Sequence, residues 1–161
     1  FGLETIWETL GSSPLVAGSQ FGGEDYTRDL QIMRTSTGEE LEYARNRFAL
    51  ACRAKEIASI DTPFVNFKDM GGLSREIEKV KSMGMTGKTC IHPSQIDEVN
   101  RIFNPSEKEI EISKKIVHSW ENQEICNNGV IVVDGQMIDI PIYNRAQNIL
   151  KKIERNKESV V

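Results

Sequence analysis

Cysteine is scarce in this chain. Cys52, Cys90 and Cys126 are the three thiols in 161 residues, an odd number with no C-x-x-C spacing. That excludes a disulfide framework and a thiolate zinc site, and it fits reduced thiols in a cytoplasmic protein. Long apolar runs are missing as well. None approaches the roughly 20 residues needed to span a bilayer, and no charged–apolar–small-residue leader is legible. Neither a membrane nor a secretory role is expected. Nor is positive charge in excess: 20 Lys and Arg stand against 24 Asp and Glu, interleaved, for a net charge of −4. A nucleic-acid or anionic-lipid partner calls for a basic patch, and there is none. Repeats and low-complexity segments are also absent.

What is present is an ordinary globular balance, 39% hydrophobic and 27% charged, at a length that can bury one core. The chain opens at Phe1 rather than at Met, directly in an apolar-periodic pattern of Ile6, Trp7 and Leu10 with no preceding cap. It reads as a chain cut into an existing structure. Leu15–Phe21 then reads as a buried strand that stops at Gly22-Gly23 and delivers Glu24 and Asp25. Paired glycines allow a sharp turn with positive φ and leave no side chain over the opening. Acids at the carboxyl end of an apolar strand stand where α/β proteins keep their active sites. Both acids could equally cap the following segment.

Ser36 or Thr37 can cap a long helix carrying Leu41, Ala44, Phe48 and Ala51 on one face. Residues 57–60 form the next strand, ending in Asp61 before a Thr62-Pro63 turn. Asp69-Met70-Gly71-Gly72 reads as a loop, Ile77 and Val80 mark a helix closed by Gly84, and residues 88–91 form a third strand ending in His92-Pro93. Such alternation implies parallel strands joined by right-handed crossovers.

From Asn104 the pattern changes. Ser106 and Glu109 have capping-box spacing before a helix with Ile110, Ile116, Val117 and Trp120, and Asn127-Asn128-Gly129 breaks it. Two strand-like runs then flank Asp134-Gly135, a strong hairpin signal. Pro141 stops the second run, a helix with Ala146, Ile149, Leu150 and Ile153 follows, and the charged tail is expected to be loose. Two domains are expected, 1–103 and 104–161. Three parallel strands cannot close a barrel and leave apolar sheet edges, so much of a sheet is missing.

Three ordered blocks carry a family resemblance: Phe21-Gly-Gly-Glu-Asp-Tyr-Thr-Arg-Asp-Leu30, Gly87-Lys-Thr-Cys-Ile-His-Pro-Ser-Gln-Ile96 and Asp134-Gly-Gln-Met-Ile-Asp-Ile-Pro141. Between them lie Arg34-Thr35, Gly38-Glu-Glu-Leu41, Tyr43-Ala-Arg45 and Ile60-Asp-Thr62. Together they resemble the citrate lyase β-subunit branch of the HpcH/HpaI aldolase superfamily. The resemblance implies an α/β fold: the carboxyl-terminal part of a (β/α)₈ TIM barrel, its sixth to eighth strands, plus a helix–β-hairpin–helix extension. A complete barrel takes about 250 residues.

The implied activity is Mg²⁺-dependent cleavage of a carbon–carbon bond in a 3-hydroxyacyl thioester of coenzyme A or an acyl carrier protein, with Mn²⁺ as an alternative metal. Citryl is the favoured acyl group, and citramalyl or malyl thioesters are the alternatives. By position Asp25 matches the family's metal aspartate. The companion glutamate and a substrate arginine would belong to an amino-terminal half. Asp139 matches the aspartate of the Met-Ile-Asp-x-Pro motif, implied to protonate the enolate across a subunit boundary in a homo-oligomer, a trimer or hexamer.

Weaker candidates for binding the thioester or shaping the mouth are His92, Asp61 and Glu24, the last expected to point away from Asp25 by strand alternation. Arg45 and Arg47 read as helix-surface charges or subunit contacts, and His118 has no assigned role. Two other readings stay open. One is a pyruvate-type aldolase acting without a thioester, which the hairpin extension argues against. The other is a catalytically silent fragment.

Overall fold

The computed structural model describes residues 2–122 and 129–158. Cys126 and the Asn127-Asn128 break lie outside them. The described chain divides into two compact units, Phe1–Phe103 and Asn104–Val161.

The first unit is α/β. Strands β1 (Gly18–Gln20), β2 (Ala58–Asp61) and β3 (Gly87–Lys88) form a parallel sheet in that order. Gly18 pairs with Ala58, and Asp61 with Lys88. Helices α1 (Ile6–Leu10), α2 (Gly23–Asp29), α3 (Glu42–Ala54), α4 (Met70–Ser82) and α5 (Ile96–Phe103) complete the unit. Leu41, Phe48 and Cys52 from α3 and its approach, Leu73, Ile77 and Val80 from α4, and Val99, Ile102 and Phe103 from α5 make its core. Strand alternation sorts the sheet residues by face. Ser59, Asp61 and Lys88 are buried, whereas Gly18, Gln20 and Ala58 on the opposite face are exposed.

Several expectations need correction. The first strand is only three residues long and is not buried, with Leu15 89% exposed. Among the described strands it neighbours β2, and Phe21 at the end of the run is the buried apolar residue, 6% exposed. Gly22-Gly23 does not adopt positive φ, since the left-handed glycines are Gly38, Gly84, Gly129 and Gly135. Space is the constraint at Gly23, whereas at Gly22 the neighbour is the movable end of the exposed Asp25 side chain. A Cβ on Gly23 would lie 3.0 Å from Thr62 Cγ2, and one on Gly22 would lie 3.3 Å from Asp25 Oδ2.

The long helix starts at Glu42 without a Ser36 or Thr37 cap, because the Thr35 hydroxyl and the Glu40 carboxylate instead tie the preceding loop. Asp69-Met70-Gly71-Gly72 is the start of α4 rather than a loop. Asp69 Oδ1 accepts from the Gly72 amide at 2.8 Å as its N-cap. The third strand ends at Lys88, and α2 and α5 are helices that the sequence pattern did not announce.

The second unit has the expected order of helix, hairpin and helix, but its second strand ends at Ile138, two residues before the expected end, and Pro141 opens the last helix rather than stopping the strand. Ser106 and Glu109 close a reciprocal capping box at the start of α6 (Glu107–Asn122). Strands β4 (Ile131–Val133) and β5 (Gln136–Ile138) pair antiparallel around Asp134-Gly135, whose φ values of 49° and 78° suit a tight hairpin turn. Helix α7 (Ile140–Glu158) follows, with Pro141 in its first turn. Ile116, Ile131, Ile138 and Ala146 form this unit's own core.

Candidate functional site

The carboxyl ends of the three strands meet in a small set of named contacts. After β1, the Phe21 amide donates to Ile60 O at 2.8 Å, and the Gly23 amide donates to Thr62 Oγ1 at 3.1 Å. These bonds tie the turn before α2 to the end of β2. Asp25 sits in the first turn of α2, its carboxylate exposed and 3.0 Å from Arg28. Glu24, beside it, turns to Arg34 at 2.7 Å. Strand alternation does not separate these two acids, since both lie on a helix.

Arg34 also reaches Glu40 at 3.2 Å. Burial raises the Glu40 carboxyl, but hydrogen bonds from the Thr35 hydroxyl and amide, together with Arg34, outweigh that and hold it at about 2. Glu24, Arg34, Thr37, Asn66, Arg75 and Glu76 are among the residues lining a cavity of about 560 Å³. Glu24 borders this cavity and Asp25 does not.

Beneath it lies a buried ionic cluster. Arg45 Nε and Nη2 each donate to Asp61 at 2.9 Å. Lys88 Nζ bonds Asp61 Oδ2 at 2.7 Å, Glu76 Oε1 at 2.6 Å and Thr62 O at 2.8 Å. The side chains of Arg45, Asp61 and Lys88 are 0% exposed and that of Glu76, at the cavity wall, is 11% exposed, so two largely buried cations face two acids. Arg45 is therefore not a helix-surface charge. Asp61 does not face the open side of the sheet, and its buried carboxylate does not point to the mouth. Its face is the one covered by α3 and α4.

Sequence reasoning missed this cluster because Lys88 and Glu76 look like ordinary surface charges. The available signal was Arg45, which falls on the apolar stripe of Leu41, Ala44, Phe48 and Cys52. Arg47, by contrast, reaches Leu3 O and Glu4 at the half-exposed rim.

His92 is exposed, stacked on Phe67 at 4.7 Å, with Nδ1 accepting from the Ser94 amide. Gln95, also missed, is buried and staples the neighbouring loops. It accepts from the Ile91 and His92 amides and donates to Phe64 O. His118 is exposed on α6, its carbonyl bonded by Asn122. In the second unit Asp139 is half-buried. Its Oδ1 accepts from the Ile142 amide at 3.1 Å, and its carbonyl accepts from Tyr143, capping α7.

Among the described residues no three of His, Cys, Asp and Glu gather as a metal cage. Asp25 supplies one hard oxygen donor. Such a donor fits Mg²⁺, which takes one or two protein carboxylates and keeps several waters.

Residues 2–93 match the model of the HpcH/HpaI aldolase/citrate lyase family. The chain belongs to that family. It is 37% identical over 155 residues to the citrate lyase subunit beta of Leuconostoc mesenteroides subsp. cremoris, covering 96% of this chain and 51% of that one. It is 30% identical to the mitochondrial citramalyl-CoA lyase of Mus musculus, covering 94% of this chain and 46% of the relative. The structure of a citrate lyase beta subunit from M. tuberculosis, complexed with oxaloacetate and magnesium, superposes with a TM-score of 0.59 at 27% identity, over 65% of this chain and 48% of that one. The chain thus spans about half the length of the curated relatives it matches.

Proposed function

We propose that this chain is the carboxyl-terminal part of a carbon–carbon lyase that cleaves citryl-CoA, or citryl on an acyl carrier protein, to oxaloacetate and the acetyl thioester. The observation that carries the reading is Asp25: an exposed carboxylate after a Gly-Gly turn, at the carboxyl end of a parallel strand, in a chain of this family. The one-sided helical cover of the sheet supports a TIM-barrel wall, with β1–β3 as its last three strands.

In the reaction the 3-hydroxyl passes its proton to a base, the new carbonyl forms as the C2–C3 bond breaks, and the bonding pair becomes the enolate of the acetyl thioester. Asp25 would be one ligand of Mg²⁺, which when bound supplies a Lewis acid for the developing keto acid. Asp139 would deliver a proton to the enolate carbon, from the extension of a neighbouring subunit in a trimer or hexamer. Glu24 and His92 would border the thioester's path, and Asp61 would act from beneath the site. Similarity to the citramalyl-CoA lyase supports citramalyl as the alternative acyl group.

The chain of 161 residues is expected to be inactive alone, since it offers one metal carboxylate and three barrel strands. The test assays the full-length protein and this chain for Mg²⁺-dependent keto-acid release from citryl, citramalyl and malyl thioesters. Full-length turnover on citryl, lost without Mg²⁺, is expected, and Asp25→Asn should weaken Mg²⁺ binding about tenfold or more. Unchanged Mg²⁺ affinity in that variant would remove Asp25 from the site. Robust turnover by the isolated chain would overturn the placement of the active site.

A further inference from the structure

The turn that carries Asp25 has no side-chain cap of its own. Gly22 is the N-cap residue of α2 and contributes no side chain, so the amides of the first turn need partners elsewhere. The Gly23 amide finds one in Thr62 Oγ1, across 39 residues of sequence and in a buried setting. Thr62 is itself 1% exposed, and its carbonyl is fixed by Lys88 Nζ at 2.8 Å. Lys88 in turn is held by Asp61 and Glu76, both also bound to Arg45. A rigid ionic base therefore ends in one hydroxyl that grips the backbone two residues before the carboxylate.

The fit is close on both sides. A Cβ at Gly23 would come within 3.1 Å of that same hydroxyl and of Arg34 Nη1, so glycine there is the counterpart of threonine at 62. We infer that Thr62 is a positioning residue for Asp25, setting the carboxylate's place through the Gly23 amide rather than by touching metal or substrate. The inference rests on the reading of Asp25 as the metal ligand. It assigns a task to a side chain that sequence reasoning passed over as part of a turn.

The experiment uses the full-length protein with Mg²⁺ as the probe. Thr62→Val keeps the shape and removes the acceptor, while Thr62→Ser keeps the hydroxyl. Thr62→Val should weaken Mg²⁺ binding about tenfold, the scale of lost outer partners in metal sites, and should speed hydrogen exchange at the Gly23 amide. Thr62→Ser should restore both towards the parent. Should Thr62→Val fail to fold, Thr62→Ala carries the same expectations.

Two further results are decisive. If Asp25→Asn weakens Mg²⁺ binding but Thr62→Val does not, Thr62 is no positioning residue and the metal reading stands. If Asp25→Asn has no effect on Mg²⁺, the reading of the site falls and this inference falls with it.

Discussion

Asp61→Asn is the sharpest perturbation of the ionic base, because it removes one charge and almost no volume. Asp61 accepts two bonds from Arg45 at 2.9 Å and one from Lys88 at 2.7 Å, with no exposure to water. The substitution leaves two buried cations with Glu76 as their sole acid, and it turns a side-chain NH₂ towards one of them. Breaking a buried pair in this way costs about 3–5 kcal/mol. That is a large share of the roughly 5–15 kcal/mol by which a domain is stable. With a urea slope of about 1–3 kcal/mol/M, the unfolding midpoint should fall by about 2 M. Circular dichroism through a urea series measures it. Adding Lys88→Met rebalances the cluster to one cation and one acid, so the double variant should be more stable than the sum of the two single losses predicts. A midpoint within about 0.5 M of the parent for Asp61→Asn would refute the claim that the cluster is a buried, tightly coupled unit.

Two other tests address the rest of the site. Asp139→Asn in the full-length protein should leave Mg²⁺ binding intact and cut turnover about a hundredfold, the scale of a lost general acid. Mixed oligomers with an Asp25 variant should regain part of the activity, and no recovery would place Asp139 in its own subunit's site. Glu40 tests pH dependence: its carboxyl is held at about 2 against an ordinary 4.5. Its ionised form therefore stabilises the fold above the ordinary value, and that contribution is lost as pH falls from 4.5 towards 2. Glu40→Gln should flatten the acid limb of a stability–pH curve, and an unchanged limb would count against the Arg34–Glu40–Thr35 arrangement.

In the second unit the capping box, the hairpin turn and the helix faces were legible, while the end of the second strand at Ile138, where Asp139 turns to cap α7, was not. A capping box, an Asp-Gly turn and helical periodicity are local rules, and each depends on neighbours within a few positions. In the first unit the parallel strand order and the core faces of α3 and α4 were also legible, as apolar spacing. The pairing of charges was not. Arg45, Asp61, Glu76 and Lys88 come from two helices and two strands, and nothing local distinguishes a buried lysine from a solvated one. Gly22-Gly23 misled for a related reason: glycine signals either a special φ or a close approach. Here Thr62, 39 residues away, decides in favour of the second. Helix α2 was hidden by the same pair, since glycines before Glu24 look like a loop rather than a helix start.

The strand pairings also bear on the order in which structure can form. In the second unit Ile131 pairs with Ile138 across a tight turn, a loop closed by a few residues. In the first unit Gly18 must find Ala58, and Ile60 must find Gly87, each after an intervening helix has been laid down. Ring closure over such spans costs entropy before any pairing repays it, and parallel strands are slow to assemble for that reason. Within this stretch the hairpin can therefore close as soon as it is made, whereas β1 and β2 pair only after α3 has been laid between them.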